Sequence, residues 1–472
     1  MVGNCAARRL AQQGAALLLL LMLLVLACST FALSALRGRD AELLRREHNA
    51  RILAQARQAL LAWSLSRDGT AGLGHCSPTS SPNGRACSPL ELPCPANPNE
   101  SAINSIGTSI TSCNSAANPA SRQGWLPWKT LGIPKLLDAY GEPLWYSVDR
   151  GFVVRTQDTE ARKINLDSQA SLRVFQNGVE LTATGDGAAA ILFAPGPALA
   201  GQNRLAPYQA AQFLDAAGIY NNAQVGGPYI TAALASDFND QLLFIRDREL
   251  IELAQPRLGV AIASQLQSYW EAFQIANPPA PSASPVPSAA PTPPPVPTAI
   301  PEAYPYPANM LGDATCRDNV VYAANTGCRS QADLCAGILP RAANDWTGQG
   351  RFATPAINRL PVWFRQNIWH RAVFYAVKQG IHCTADFVLD GVAEPDIDAL
   401  LILPGASQSA RADNTQLAAN ASLDLALYLD DAAHQDKWLQ PQAREFVTPA
   451  CTSNDLMLVC RQGVCSERTR LC

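Results

Sequence analysis

Charge is scarce in this 472-residue chain: 16% of the residues are Asp, Glu, Lys or Arg, and the formal net charge is -3. No basic patch interleaved with aromatics stands out, which argues against nucleic acid as a partner. Histidine is scarcer still, with His48, His75, His370, His382 and His434 scattered along the chain. No cysteine pair has zinc spacing, since Cys460-x4-Cys465 has no His near it, and a metal site of the His/Cys type is not expected. The sequence also lacks a G-x-S-x-G elbow, an H-E-x-x-H pair, a phosphate-binding glycine loop and any Cys-x-x-Cys. Each absence removes a recognisable chemistry: the serine-hydrolase nucleophile, the zinc peptidase, the nucleotide cradle and the thioredoxin-like couple. The chain is therefore read as non-enzymatic, with no catalytic residue and no cofactor assigned. Two acidic pairs, Asp396/Asp398 and Asp430/Asp431, could offer carboxylates to calcium, but without the regular ligand spacing of a calcium loop. Solvated surface carboxylates are the plainer reading of both.

What is plentiful is proline (35), glycine (30) and cysteine (14). The first two predict loop-rich heads rather than a helical bundle. Cys5 and Cys28 lie in or before one long apolar stretch, and twelve lie beyond it: Cys76, Cys87, Cys94, Cys113, Cys316, Cys328, Cys335, Cys383, Cys451, Cys460, Cys465 and Cys472. An even count on the far side of an apolar segment reads as disulfides formed in an oxidising compartment. The pairings stay open, because four cysteines in the first half allow three connectivities and eight in the second allow 105.

The apolar stretch runs from Ala15 to Leu36 and carries no charge. As a helix it would be about 33 Å long, enough to cross a bilayer core, and Arg8 and Arg9 before it would hold its start in the cytoplasm. Beyond it Leu43, Leu44, Ile52, Leu53, Ala56, Leu60 and Trp63 recur at three- and four-residue steps, with Arg45, Arg46, Glu47, Arg51 and Arg57 on the other face. That periodicity predicts an amphipathic helix. Three readings compete for the stretch: a cleaved secretory signal, a lipoprotein signal acylated at Cys28 within Val25-Leu26-Ala27-Cys28, and a permanent helix whose short leader is removed after Gly14.

A short basic leader ending in Gly14, followed by QQGAALLLLLMLLVLA and an amphipathic stalk, resembles the start of type IV pilins and the pseudopilins of type II secretion. The resemblance implies cleavage by prepilin peptidase between Gly14 and Ala15. It further implies a single-pass protein of the bacterial inner membrane, its N-terminus cytoplasmic and its heads in the periplasm, with other pilins or pseudopilins as partners. Some pseudopilin heads bind calcium in a C-terminal loop. The chain departs from the pattern at two positions: Leu19 stands where the family has Glu at the fifth mature position, and Ala15 where it has Phe at the first. Since that Glu is thought to pair with a neighbour's new N-terminus, its absence at Leu19 resembles the large minor pseudopilin at the tip of a filament, or makes this a pilin-derived membrane protein that never enters one. The competing class is a periplasmic enzyme or binding protein with a simple N-terminal membrane or lipid anchor.

After the stalk, Gly, Pro, Ser and Asn clusters mark a coil, and the short apolar runs LWYSVD, GFVVRT, SLRVFQNGVEL and AAILFAP fit antiparallel strands, with Asn177-Gly178 as a turn. PYQAAQFLDAAGIY reads as a short helix, and FNDQLLFIRDREL as a strand leading into a second amphipathic helix. Seven short segments then recur in order. The stalk ending at Trp63 matches the helix ending near Trp270, LPCPAN matches YPYPAN, WLPW matches RLPVWF, LWYSV matches VFYAV, AAILFAPGP matches ALLILPGA, AAQFLDAAG matches LALYLDDAA, and FNDQLLFIRDREL matches SNDLMLVCRQGV. The expected fold class is α+β: a long N-terminal membrane and stalk helix followed by two tandem pilin-like heads, each a helix plus a small antiparallel sheet, stapled by disulfides. The divisions are a leader (1–14), a transmembrane helix (15–36), a stalk (37–66), a first head (67–250), a second helix (251–276), a proline-rich linker (277–303) and a second head (304–472). The linker favours polyproline II and reads as a semi-rigid spacer.

Overall fold

The structure, a computed structural model, describes residues 41–66, 89–113, 118–153, 164–166, 168–183, 185–233, 235, 237–278, 301–309, 331–340, 345–346, 369–406, 428–437, 440 and 442–472, together with Met22 and Val25. Two long helices and two main sheets dominate. Helix α1 spans 41–65. Its three- and four-residue apolar spacing puts Leu53, Ala56, Leu60 and Trp63 in the core, while Arg45, Arg46, Glu47 and Arg51 face solvent. Helix α3, Asp247–Ala276, buries Leu250, Ile251, Ala254, Leu258, Ile262, Leu266 and Tyr269 by the same spacing, and opens with Asp247 and Glu249 where the helix dipole favours acids.

The first sheet has the order β1 (Gln123–Trp125), β2 (Trp145–Val148), β5 (Ala188–Ala194), β9 (Gln241–Arg246), all antiparallel. The second runs β10 (Ala336–Ile338), β11 (Phe374–Val377), β14 (Ala399–Leu403), β16 (Leu456–Arg461), with β17 (Val464–Glu467) added at the end. Each is accompanied by a three-stranded sheet in which a hairpin, β3–β4 (Val174–Gln176, Val179–Glu180) or β12–β13 (Phe387–Leu389, Val392–Glu394), gains a parallel neighbour, β8 (Tyr229–Thr231) or β15 (Glu445–Phe446). Both hairpins turn on a residue at positive φ followed by glycine, Asn177-Gly178 and Asp390-Gly391, the arrangement that matches strand twist in a two-residue loop.

Small features repeat with the sheets. Ala96 bridges to Trp125 and Ala308 to Ile338. The Tyr146 hydroxyl donates to Pro93 O at 3.1 Å, and the Tyr375 hydroxyl to Pro305 O at 2.9 Å. Gly124 and Gly337 allow the close approach of those bridging segments: a Cβ on either would collide with the carbonyl oxygen of Ala96 or Ala308. The place of WLPW in the first sheet is thus taken in the second by AGILP, residues 336–340, whereas RLPVWF at 359–364 lies outside the described residues.

Alternation along the strands separates two faces in the first half. Tyr146, Val148, Ala190, Leu192 and Ile245 turn inward to a core that also contains α1, α3 and the buried strands of the second sheet. Trp125, Trp145, Ile191 and Phe193 turn the other way, into a separate aromatic cluster with Phe213 and Tyr229. Helix α1 is fixed to its sheet by polar groups as well: Asn49 Oδ1 accepts from Ala139 N at 2.7 Å, and His48 Nε2 lies 3.4 Å from Leu137 O. The two helices meet through an Arg57–Glu249 ion pair and an Arg257 guanidinium that donates to Leu65 O.

Several expectations need correction. No helix among the described residues is long and apolar enough to cross a membrane, and helix 41–65 carries six arginines and glutamates, Glu42, Arg45, Arg46, Glu47, Arg51 and Arg57. The long membrane-and-stalk helix of the expected fold class, and the inner-membrane location that followed from it, are overturned on that finding. Ala15–Leu36 lies outside the described residues apart from Met22 and Val25. The heads are also not single antiparallel sheets, because each carries a second sheet with a parallel pair. PYQAAQFLDAAGIY is no helix: it forms one 3-10 turn at Ala210–Gln212 and a two-residue ladder of β6 (Ala216–Ala217) with β7 (Tyr220–Asn221). Short α2 (Trp128–Leu131) and α4 (Ala432–Lys437) complete the elements.

Four disulfides lie among the described residues: Cys94–Cys113, Cys335–Cys383, Cys451–Cys472 and Cys460–Cys465. Cys76, Cys87, Cys316 and Cys328 lie outside them.

The bridge at Gly124 gives a direct test. A Cβ there would sit 2.5 Å from Ala96 O, so Gly124→Val should lower the unfolding free energy by about 1–3 kcal/mol, the usual cost of overpacking. Urea denaturation followed by far-UV circular dichroism measures this; an unchanged midpoint would show that the 92–97 segment is not held against β1.

Candidate functional site

Two arrangements of polar groups are built by the fold, and the first occurs once in each half. At the β5-to-β9 connection, Asp215 and Asp240 hold each other's backbone: Asp215 N donates to Asp240 Oδ2 at 2.7 Å, while Asn239 N and Asp240 N donate to Asp215 Oδ2 at 2.7 and 3.3 Å. Gln202 Nε2 donates to Asp215 Oδ1 at 2.9 Å, and Asn222 Nδ2 to Asp240 Oδ2 at 3.0 Å. In the second half Asp430 N donates to Asp455 Oδ2 at 3.1 Å, and Asn454 N to Asp430 Oδ2 at 2.8 Å. The adjoining amides match too, with Asn239 Nδ2 donating to Pro197 O and Asn454 Nδ2 to Ala406 O.

Burial is the main force on these carboxyls. It raises Asp215, and it raises Asp240 well above the ordinary carboxylate range with Asp215's charge adding to the effect. Asp455 is pushed up to about 7, first by burial and then by the charge of Asp430. Two adjacent buried charges repel, so burial and the partner's charge both favour the protonated form of Asp240 and of Asp455. The pair acts as a lock: Oδ2 of each aspartate accepts from the main chain of the same connection, while Asp240 Oδ1 and Asp455 Oδ1 are buried without a hydrogen-bond partner.

The second arrangement is a cleft of about 500 Å³ over the outer face of the first sheet. Pro95, Asn99, Gln123, Trp145, Tyr208 and Val225 are among its lining residues. Gln123 is oriented by its Nε2, which donates to Asn222 O at 2.7 Å, leaving Oε1 buried without a hydrogen-bond partner. Trp145 Nε1 is likewise buried and unpartnered. Both atoms are buried beneath the lining, which is apolar, aromatic and neutral polar, and no residue lining the cleft is charged. The corresponding positions of the second sheet are Ala336 and Phe374, so the cleft's polar floor belongs to the first half alone. Such a cleft suits a neutral group with a flat apolar face and its own donor and acceptor.

The sequence-derived site residues fall elsewhere. Asp398 Oδ2 accepts from Gln462 N, and burial raises its pKa; Asp431 Oδ1 accepts from Ala433 N at 2.9 Å at the start of α4. Asp430 turns into the lock, so neither acidic pair converges on one point. No group of three or more His, Cys, Asp or Glu among the described residues is placed to hold a metal ion. Gly14 and Ala15 lie outside the described residues. Trp125, Trp128 and Trp145 are buried as expected of core aromatics, with Lys135 Nζ 5.3 Å from the Trp125 and Trp128 rings. The lock was missed from sequence although FLD with FND and YLD with SND recur at matching places; that recurrence of Asp beside an Asn-Asp pair was the available signal.

The lock has a pH signature. Asp455 binds its proton more tightly folded than unfolded, where its pKa is near 3.8, so its contribution is complete below pH 4 and is lost as pH rises through about 7. Asp455→Asn should make the fall in melting temperature across that interval shallower while the wild type keeps the steeper slope, a comparison open to differential scanning calorimetry. Equal slopes would deny Asp455 that proton. Comparison with family models, with characterised proteins and with solved structures finds no match for this chain.

Proposed function

We propose that this chain is a pilin- or pseudopilin-like subunit that acts by assembly and protein contacts and catalyses no reaction. The observation that carries the reading is α1 laid against the inner face of an antiparallel sheet, with α3 in the same relation to a second sheet. That helix-on-sheet plan is what the resemblance of the leader and stalk implies for a head. The four disulfides support an oxidising, extracellular or periplasmic setting. Other pilins or pseudopilins are the partners on this reading, and prepilin peptidase is the processing enzyme, cutting between Gly14 and Ala15.

A binding protein is the second reading, and the cleft at Gln123 and Trp145 favours it. The readings separate at the N-terminus. Intact mass and N-terminal sequencing of the protein recovered from its native host should show a chain beginning at Ala15. A chain retaining Met1, or one beginning at an acylated Cys28, would remove the pilin-like reading and leave the cleft as the functional surface.

A further inference from the structure

The two halves differ at one edge. In the second sheet, β16 is followed by a tight turn at Gln462-Gly463 and by β17, which pairs antiparallel with it and is closed by Cys460–Cys465. In the first sheet the equivalent strand, β9, runs directly into α3, and the sheet ends there. Among the described residues the main-chain ladder of β9 goes to β5 alone. Half of an antiparallel strand's N–H and C=O groups face each side, so the outer side of β9 carries a row of unpaired main-chain groups. The difference shows in burial: β16 is buried over five of its six residues, while β9 is half-buried at every position except Ile245.

Edges of this kind are normally blunted by charge, proline, a bulge or shortness. β9 has no charge, proline or bulge over Leu242-Leu243-Phe244; the bulge in its ladder lies on β5 between Ala188 and Ala190, opposite Arg246 and Ile245, and its one charged residue, Arg246, ends the strand, is paired with Asp186 and lies over the Phe244 ring. β17 shows the contrast. It is four residues long, disulfide-closed, and exposes Val464, Ser466 and Glu467, which makes it a guarded edge and a poor partner for β9. At the far side of each main sheet, β1 and β10 are capped by the Ala96 and Ala308 bridges.

We propose that two copies of this chain pair edge to edge through β9, antiparallel about a two-fold axis, joining the two first sheets into one continuous eight-stranded sheet. The occupant follows from the edge itself. An isologous contact needs a single self-complementary segment, and an uncharged apolar run set antiparallel against itself matches Leu and Phe with Leu and Phe. It also sends the two Arg246 side chains to opposite ends. β17 on β16 shows within this chain a strand added at this place in the plan, packed together with α3, the helix that stands to the second sheet as α1 stands to the first. The inference stands whether or not the pilin-like reading holds.

The test uses the full oxidised chain. Sedimentation velocity from ~1 to ~50 µM should show a monomer–dimer equilibrium in that range, and hydrogen exchange should show those 241–246 amides that face away from β5 protected at the high concentration and released at the low one. Leu242→Lys, which places a guarding charge on the half-buried edge, should shift the equilibrium to monomer; since Leu242 also packs against the aromatic cluster, far-UV circular dichroism establishes that the variant is folded. Because the exchange measurement needs no substitution, it decides the matter even if the variant misfolds. A monomer throughout overturns the proposal, as does an oligomer whose outward-facing 241–246 amides exchange freely. Protection of those outward-facing amides in a monomer, or only on addition of a different protein, overturns it as well.

Discussion

The contact on which the rest depends is the apolar seam between the two long helices and the inner faces of the two main sheets. Leu53, Ala56, Leu60 and Leu61 of α1 share one core with Leu250, Ala254, Leu258 and Ile262 of α3, and with Tyr146, Leu192, Tyr375 and Leu401 from the strands. Each fully buried side chain of this size contributes roughly 1.5–3 kcal/mol, and among the described residues neither sheet has another inner partner of comparable extent. The tyrosines show how the seam sets finer geometry. Tyr146 and Tyr375 are wholly buried, and each hydroxyl finds the one acceptor available, the carbonyl of a proline in the segment crossing the sheet edge. A buried hydroxyl without that acceptor would carry a desolvation cost, so seam and edge segment specify each other.

Much of this could be read from residue order. Strands were legible as short apolar runs between turns, and the alternation of side chains along a strand explains why Trp145 and Tyr146, neighbours in sequence, serve opposite faces. The Asn177-Gly178 turn was legible because only a residue tolerant of positive φ followed by glycine fits a two-residue hairpin. Helices α1 and α3 were legible from apolar spacing alone. What escaped is equally specific. The stretch around Phe213 and Leu214 looks helical because apolar and small residues recur at suitable steps, yet the two buried side chains dock into the aromatic cluster of the outer face and tertiary packing overrides local propensity. The counterpart of β1 was sought among aromatic residues and found instead at Gly337, because the requirement at that place is the absence of a Cβ. The cleft was illegible altogether, since Gln123, Trp145 and Tyr208 come together only through folding.

The two halves share a plan and spend it differently. The first keeps an open aromatic face with an unpaired donor and acceptor under a cleft, and an unguarded strand edge. The second replaces the cleft's floor residues with Ala336 and Phe374, covers the edge with β17, and holds three of the four described disulfides. Retention of the Asp–Asp lock in both marks it as part of the plan, for it ties the connection between the third and fourth strands wherever that connection occurs. The divergence reaches into the core, since Ala336 and Phe374 are both buried.

Arg246 ends β9 and Asp247 begins α3, with no intervening loop residue. The 30-residue helix, about 45 Å long, carries Pro256 in its interior, where a backbone N–H is missing from the helix ladder. A load applied to the first sheet along β9 would pass directly into this helix and on to β16 and β17, against which it packs, with Pro256 as the point of give along its length.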